Sequence, residues 1–258
     1  MLSLIGGYPL GAKMLNESDL SKEAKENMLY YCINAGPAFI ILAVGNAIFQ
    51  SKKIGVFLFL AHILPSIIMA LFLNKKTTQT LPVKTLRENL IDNFTASAAA
   101  ACSTLISISG YVILFCVIVG YINEYQKFLP FLNGLKVILE VTSGISSTRN
   151  IYLISFLLGF GGLCVWCQIF ALSKGLKINY LKFIICRIFH ALCSTLFTYA
   201  FIKIFNISLT VLSNTKTLEF SYFQTNSAVG ISLILMGIVF IISLSEKNYA
   251  GNMLKDLV

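Results

Sequence analysis

Charged side chains are scarce in this sequence. Only 12% of its 258 residues are Asp, Glu, Lys or Arg, whereas 57% are apolar and the mean hydropathy is +0.79. A soluble domain devotes about a quarter of its residues to charged groups, because polar atoms must cover its water-facing surface. The composition therefore excludes a soluble globular domain, a disordered chain and a disulfide-stabilised secreted scaffold.

Residues that carry catalysis and bind metals are also few. The sequence has 2 histidines and 11 acidic residues, with no HExxH motif, no pair of membrane aspartates and no acidic cluster for Mg²⁺. Its 7 cysteines lie in or beside apolar segments, and the Cys164–Cys167 pair has no neighbouring histidine or carboxylate to complete a tetrahedral site. We therefore expect no enzyme activity, no metal, no cofactor and no disulfide framework.

The positive net charge of +9 does not indicate nucleic acid as a partner, because the cations are scattered between apolar segments. Two groups of cations flank apolar segments, one between residues 51 and 87 without an acid, and one at Lys174, Lys177 and Lys182. Such groups favour the cytoplasmic, anionic side of a membrane. Since the two groups flank successive helices, they leave the orientation of the protein open.

Uncharged stretches long enough to cross a bilayer occur five times. A helix needs about 20 residues to cross roughly 30 Å of hydrocarbon. Each stretch exceeds that length, so the chain is predicted to be an all-α integral membrane protein whose partner is the lipid bilayer. The stretches are Asn27–Ser51, Ile54–Asn74, Asn93–Asn123, Asn150–Ser173 and Phe220–Ser245. They leave open whether the protein forms a homo-oligomer.

Two polar or Gly-rich turns in apolar surroundings predict re-entrant hairpins. The first tip, Gly6–Pro9, interrupts an apolar stretch near the start of the chain, and a charged linker over 16–27 follows it. The second tip, Glu140–Gly144, follows the apolar segment 128–139 and precedes a restart to Arg149. Gly and Pro at such points end one helical segment and begin another.

Two apolar spans are interrupted near their middle. Asn34–Pro37 interrupts the span Met28–Phe49, and Gly159–Gly162 interrupts the span Ile151–Leu172. Proline removes a backbone donor and crowds the preceding turn, and glycine weakens a helix. Lipid tolerates unpaired backbone groups only where they are buried in protein or line a wet cavity, so we expect these breaks to mark a site.

The tips and breaks occur twice in the same order, and each broken span is followed by a helix with one histidine, His62 or His190. This order predicts two repeats of re-entrant hairpin, discontinuous helix and transmembrane helix. We divide the chain into a first repeat, an interfacial segment with a linking transmembrane helix, a second repeat, and a final transmembrane helix with a tail. These parts are residues 1–73, 74–127, 128–208 and 209–258. The interfacial helix is expected over 77–92 and the last span over 229–244.

A half-helix that begins at a break leaves free N–H groups and the positive end of its dipole facing inward, which suits an anionic group. Proline favours the first turn of such a half-helix, and Thr142 and Ser143 are residue types that cap one. Lys13 and Arg149 are candidate cations for the same anion site. The candidate binding residues are Gly6, Gly7, Tyr8, Pro9, Lys13, Asn34, Gly36, Pro37, Thr142, Ser143, Gly144, Arg149, Gly161 and Gly162.

Each feature also has a purely structural explanation. A Gly-Gly pair or an Asn-Ala-Gly-Pro sequence is more often a packing kink than a binding site, and Lys or Arg near a membrane often snorkels to the headgroups. Arg187 and His190 share a helix face, but a buried histidine is more often a hydrogen-bonded core residue than a proton relay. The repeated order of two tips and two breaks is what favours a site at the midplane.

Four segments resemble one family of membrane proteins. They are LIGGYPLGAK at 4–13, YYCINAGPAFI at 30–40, LEVTSGI at 139–145 and FLLGFGG at 156–162. Together they are similar to the YlbJ-type sporulation integral membrane proteins over essentially the whole chain. The resemblance implies a nucleoside-recognition or gate domain and a fold with re-entrant hairpins, like that of concentrative nucleoside transporters.

The same resemblance implies movement of dipicolinate across a cell membrane, the outer forespore membrane during sporulation. Dipicolinate is a flat dianion at neutral pH, which suits half-helix N-termini with Lys13 or Arg149. Family members have further helices before the first hairpin, whereas this chain begins five residues before the tip. The resemblance therefore implies a chain truncated at its N-terminus, with most of the entering arm of that hairpin missing.

Two other functions stay open. A nucleoside or other organic-anion carrier would use the same fold, although the tips here are poorer in Gln and Glu than those of nucleoside carriers. A noncatalytic membrane scaffold of sporulation would need no solute site. The sequence leaves substrate identity and coupling ion undecided.

Overall fold

The computed structural model describes residues 7–18, 20–73, 90–125 and 132–207. The predicted all-α architecture is confirmed, because these ranges contain helices and no β-strand. Helix α3 has π-helical hydrogen bonding. The helices are α1 (Leu10–Glu17), α2 (Lys22–Leu29), α3 (Ala38–Ile48), α4 (Lys52–Leu73), α5 (Leu90–Tyr125), α6 (Leu132–Leu139), α7 (Val141–Ser146), α8 (Ile151–Phe160), α9 (Gly162–Leu172) and α10 (Tyr180–Ile204).

Four helical segments of the described chain are long and apolar enough to cross a membrane. They are Lys52–Leu73, Phe94–Tyr125, Ile151–Leu172, which joins α8 to α9, and Tyr180–Ile204. Large apolar side chains point away from the protein along these helices, and a lipid environment accommodates such surfaces where water does not. An integral membrane protein in contact with the lipid bilayer is therefore supported.

Several predicted parts lie outside the described residues. They are the residues before Gly7, the interfacial segment as far as position 89, and the last span over 229–244. Helix α5 already begins at Leu90, within the range expected for the interfacial segment. The division of the chain into four parts stays a prediction.

The charged linker predicted over 16–27 is largely helical in the structure. Helix α1 continues to Glu17, and α2 begins at Lys22. The Ser21 hydroxyl accepts a hydrogen bond of 3.3 Å from the Ala24 N–H, and Glu23 lies in the first turn, where an acid is favourable. A helix-capping serine followed by strong helix formers therefore outweighs the polar composition that indicated a linker.

Helix α10 packs against both α8 and α4, and α4 also packs against α3. Within a bilayer this association depends on close packing, because lipid tails are as apolar as the helices. Gly159 of α8 permits a close approach to α10, since a Cβ atom at this position would lie 2.5 Å from the Cα atom of Ala191. The α8–α10 contact therefore brings backbone against backbone.

The N-terminal end of α10 is tied to the end of α2. The Asn179 side chain caps α10, and its backbone N–H donates to the Tyr30 hydroxyl at 3.3 Å. The Lys182 ammonium lies 4.4 Å from the centre of the Tyr30 ring, a cation–π distance.

We predict that Gly159→Ala destabilises the protein by about 1–3 kcal/mol, the usual range for overpacking a tight contact. The added methyl group meets the backbone of Ala191, which cannot rotate away. Gly110→Ala on α5 is the matched control, because a Cβ atom there meets nothing within 4 Å. Thermal unfolding of the purified protein in detergent measures the difference, and equal midpoints for the two variants would contradict the packing.

Candidate functional site

The first break is the non-helical segment 30–36 between α2 and Pro37. Its backbone groups bond to side chains from two transmembrane helices. Arg187 of α10 donates from Nη1 to the Ile33 carbonyl at 2.8 Å, and the Ala35 N–H donates to Nε2 of His62 on α4 at 3.0 Å. Polar groups that have left the helix are thus paired inside the protein, as a membrane interior requires.

The Asn34 side chain belongs to the same buried network. Its Oδ1 atom accepts a hydrogen bond of 2.6 Å from the Ser66 hydroxyl of α4. The Ser66 oxygen also lies 3.5 Å from Nδ1 of His190, and the Nε2 atom of His190 lies 3.0 Å from the carbonyl of His62. Since the centres of the His62 and His190 rings lie 4.8 Å apart, α4 and α10 are in contact next to the first break.

The second break lies between α8 and α9. Gly161 has φ +83° and Gly162 has φ +74°, left-handed conformations that glycine adopts without strain. The carbonyls of residues 158, 159 and 160 end α8, and they accept hydrogen bonds from Tyr8, Arg187 and Trp166 respectively. The second break is present within the predicted Gly159–Gly162. The first is wider than the predicted Asn34–Pro37, since residues 30–36 are non-helical and the expected half-span 28–33 does not form. Arg187 bonds to both breaks.

Each tip packs against a break. Gly7 has φ +70°, and a Cβ atom there would lie 2.7 Å from the Gly36 nitrogen, so the first tip touches the first break backbone to backbone. A Cβ atom on Gly162 would lie 3.2 Å from the Val141 nitrogen, so the second break touches the second tip. Four segments that are distant in sequence therefore form two adjoining pairs.

The second tip differs from the prediction. Glu140 alone is extended, with φ −136° and ψ 121°, and Thr142, Ser143 and Gly144 lie inside α7 and not in a turn. The Glu140 carboxylate accepts hydrogen bonds from the Thr142 N–H at 2.9 Å and the Ser143 N–H at 2.6 Å. The expected capping role of Thr142 and Ser143 therefore belongs to Glu140, because the helix restarts earlier than the polar run suggested.

A cavity of about 320 Å³ lies where the first tip, the first break and the second tip meet. Its volume falls in the range typical of small-molecule sites. The lining combines backbone groups with two aromatic rings and one hydroxyl side chain. The lining residues are Gly7, Tyr8, Gly36, Ala38, Phe39, Val141 and Thr142.

Two helices begin at this cavity without a side-chain cap. Pro9 precedes α1 and Pro37 precedes α3, and neither end has a capping side chain among the described residues. The first intrahelical bond of α1 runs from the Ala12 N–H to the Pro9 carbonyl, so the earlier N–H groups point out of the helix end. These two ends present partial positive charge toward the cavity.

The other predicted residues lie away from the cavity wall. Asn34 is 3% exposed and bonds to Ser66, while Gly161 and Gly162 are buried between α8 and the second tip. Ser143 and Gly144 lie further along α7, outside the lining. Gly6 lies outside the described residues.

The two predicted cations also lie away from the cavity wall. The Lys13 ammonium donates to the Ala100 carbonyl at 2.7 Å and to the Thr104 hydroxyl, and it lies 3.8 Å from Glu17. These bonds attach α1 to α5. The Arg149 side chain is exposed and reaches only the carbonyl of Thr148, at 3.5 Å. The structure therefore gives Lys13 an anchoring contact and gives Arg149 no contact with the cavity.

Arg187 is the residue that sequence reasoning undervalued. It is 1% exposed, and the prediction considered it only as a neighbour of His190. The available signal was a cation within the apolar segment 180–204, since charged residues inside a membrane span usually face a partner or a cavity. Among the described residues, no group of three His, Cys, Asp or Glu side chains is placed to hold a metal ion.

Comparison with known proteins gives one informative match. The chain is 22% identical, over 252 aligned positions, to the sporulation integral membrane protein YlbJ of Bacillus subtilis (strain 168). The alignment covers 76% of this chain and 61% of the relative, so the chain spans about three fifths of the relative's length. No protein-family model matches the chain, and no solved structure is similar to it. The similarity and the apolar helices support a YlbJ-type integral membrane protein.

Proposed function

We propose that this protein carries dipicolinate, a small aromatic dicarboxylate, across the outer forespore membrane during sporulation. The similarity to a sporulation membrane protein supports a membrane role in sporulation. The single observation that carries the solute proposal is the cavity at which α1 and α3 begin without capping side chains. Helix N-termini of this kind bind carboxylates and phosphates through backbone N–H groups.

The lining of the cavity suits a flat anion. Its two aromatic residues, Tyr8 and Phe39, offer ring faces to an aromatic solute, and the Thr142 side chain offers a hydroxyl. The Tyr8 hydroxyl donates to the Leu158 carbonyl, which fixes its ring in the wall of the cavity. The site would thus bind the carboxylates of the solute through backbone dipoles, and it would bind the aromatic ring of the solute through the rings of Tyr8 and Phe39.

The order of the elements supports a carrier. In the proposed arrangement, the tips near Gly7 and Glu140 belong to re-entrant hairpins, and the two broken spans with their histidine helices form repeats. Carriers built from such repeats place the solute at the repeat interface and move one part against the other. The contact between the His62 and His190 rings brings the two proposed repeats together close to the breaks.

A nucleoside or another organic anion is the second candidate solute. Glu140 favours the nucleoside over an anion, because this carboxylate already occupies the α7 N-terminus that the sequence assigned to a solute anion. A carboxylate beside the second tip would accept hydrogen bonds from hydroxyl groups and would repel a second negative charge. A noncatalytic scaffold is the outcome if no solute is transported.

We expect the protein in proteoliposomes to take up labelled dipicolinate at a rate that saturates with dipicolinate concentration, because each molecule offers a single cavity with few N–H groups. Unlabelled dipicolinate should compete, whereas a nucleoside should not. The measurement is filter-retained radioactivity against empty liposomes, with insertion of the protein verified by protease protection. Uptake no greater than in empty liposomes would contradict the dipicolinate carrier, and saturable uptake of a labelled nucleoside in the same liposomes would then favour the second candidate.

We predict that Thr142→Trp lowers dipicolinate uptake about tenfold or more, because solute and indole together would overpack the cavity at a cost of about 1–3 kcal/mol, and about 1.4 kcal/mol corresponds to a factor of ten. Thr142 lines the cavity, so the indole ring enters the space of the solute. Thr95→Trp is the matched control, because Thr95 lies exposed on α5. Equal uptake by the two variants, at equal expression, would favour a scaffold over a carrier.

A further inference from the structure

Arg187 is a fully buried cation whose partners in this structure are backbone carbonyls. Its Nη1 atom donates to the Ile33 carbonyl at 2.8 Å, and its Nη2 atom donates to the Gly159 carbonyl. The Ile33 carbonyl lies within the non-helical segment 30–36, and the Gly159 carbonyl lies in the last turn of α8. One guanidinium therefore joins the first break to the second.

The charge of Arg187 has no carboxylate partner among the described residues. A buried charge is costly unless other groups compensate it. The Gly159 carbonyl lies at the C-terminal end of α8, where the helix dipole adds partial negative charge, and it supplies part of this compensation together with the dipole of the Ile33 carbonyl. The remaining positive potential extends into the region between the two breaks.

Short chains of contact connect Arg187 to the cavity wall. Ile33 lies three residues before Gly36, which lines the cavity. Gly159 follows Leu158, whose carbonyl accepts a hydrogen bond from Tyr8, another lining residue. A change at Arg187 thus reaches the cavity through both breaks.

We propose that Arg187 is the positioning residue of the solute cavity. It holds both helix breaks in place, and its uncompensated charge raises the affinity of the cavity for a dicarboxylate. This inference rests on the proposed carrier function. It assigns to a buried residue of α10 the role that the sequence assigned to Lys13 and Arg149.

Arginine is suited to this role in a way that lysine is not. The planar guanidinium directs several N–H groups in fixed directions, so its two ends reach two carbonyls at once. An ammonium is a compact point charge on a flexible stem, and it keeps the charge while holding the two carbonyls less firmly. Arg187→Lys and Arg187→Gln therefore separate the charge from the geometry.

The experiment compares three variants in proteoliposomes: Arg187→Lys, Arg187→Gln and Lys203→Gln. The last is the matched control, because it removes a cation from the same helix where the side chain lies over the Tyr199 ring, outside the cavity. Two probes are used, dipicolinate and its neutral diamide, pyridine-2,6-dicarboxamide. The diamide has the same shape without the charge, so the KM for each probe separates electrostatic attraction from the shape of the site.

For Arg187→Gln we expect the KM for dipicolinate to rise on the order of tenfold, the scale of a charge interaction across a partly buried site. The KM for the diamide should rise less, and Arg187→Lys should retain most of the preference for the dianion. Lys203→Gln should match the unaltered protein. An equal rise in KM for dianion and diamide, or none for either, would overturn the proposal.

Amide hydrogen exchange tests the positioning role without reference to transport. In Arg187→Gln, exchange at residues 34–36 and 160–162 should accelerate together, whereas Lys203→Gln should leave both segments unchanged. Exchange unchanged at either break would overturn the positioning role. If the unaltered protein takes up no dipicolinate, the carrier function fails, and exchange still decides whether Arg187 holds the breaks. Should Arg187→Gln not fold, Arg187→Lys carries the exchange measurement, in which both segments should accelerate because the ammonium holds the two carbonyls less firmly; unchanged exchange in that variant would overturn the proposal.

Discussion

The need to pair backbone groups inside a membrane governs this fold. A helix that stops at membrane depth leaves N–H and C=O groups without partners, and hydrocarbon cannot replace them. In this protein, side chains from other segments supply the partners: His62 and Arg187 at the first break, and Tyr8, Arg187 and Trp166 at the second. The positions of the polar residues in these otherwise apolar helices therefore follow from the breaks whose backbone groups they bond.

The charges around the cavity divide between its two sides. Where α1 and α3 begin, the helix ends have no capping side chain and present positive dipole ends. Where α7 begins, Glu140 is already bound to the N–H groups. A negatively charged solute therefore finds attraction on one side of the cavity and a fixed carboxylate near the other. This asymmetry favours a single orientation of a bound dicarboxylate, with its charged groups toward α1 and α3.

Sequence predicted the membrane class, most spans and both breaks, because these depend on local properties such as long apolar runs and Gly or Pro within them. It did not predict α2, where a serine cap and helix-forming residues outweigh a charged composition. The predicted second tip, Glu140–Gly144, is too long. Only Glu140 is extended, because the helix restarts at Val141 and Glu140 caps it. Sequence reasoning also missed the partners of Arg187, which lie 154 and 28 positions away in the chain and come together only in the folded protein.

The contact between Gly7 and Gly36 has a consequence for how solute preference can change. Main-chain atoms form this part of the wall, and a side chain at Gly7 would separate the tip from the break. A substitution at Gly7 would therefore disrupt the contact between the first tip and the first break before it changed the selectivity of the proposed site. In the proposed carrier, discrimination between solutes would therefore be adjusted at wall positions that present side chains, such as Ala38 and Thr142.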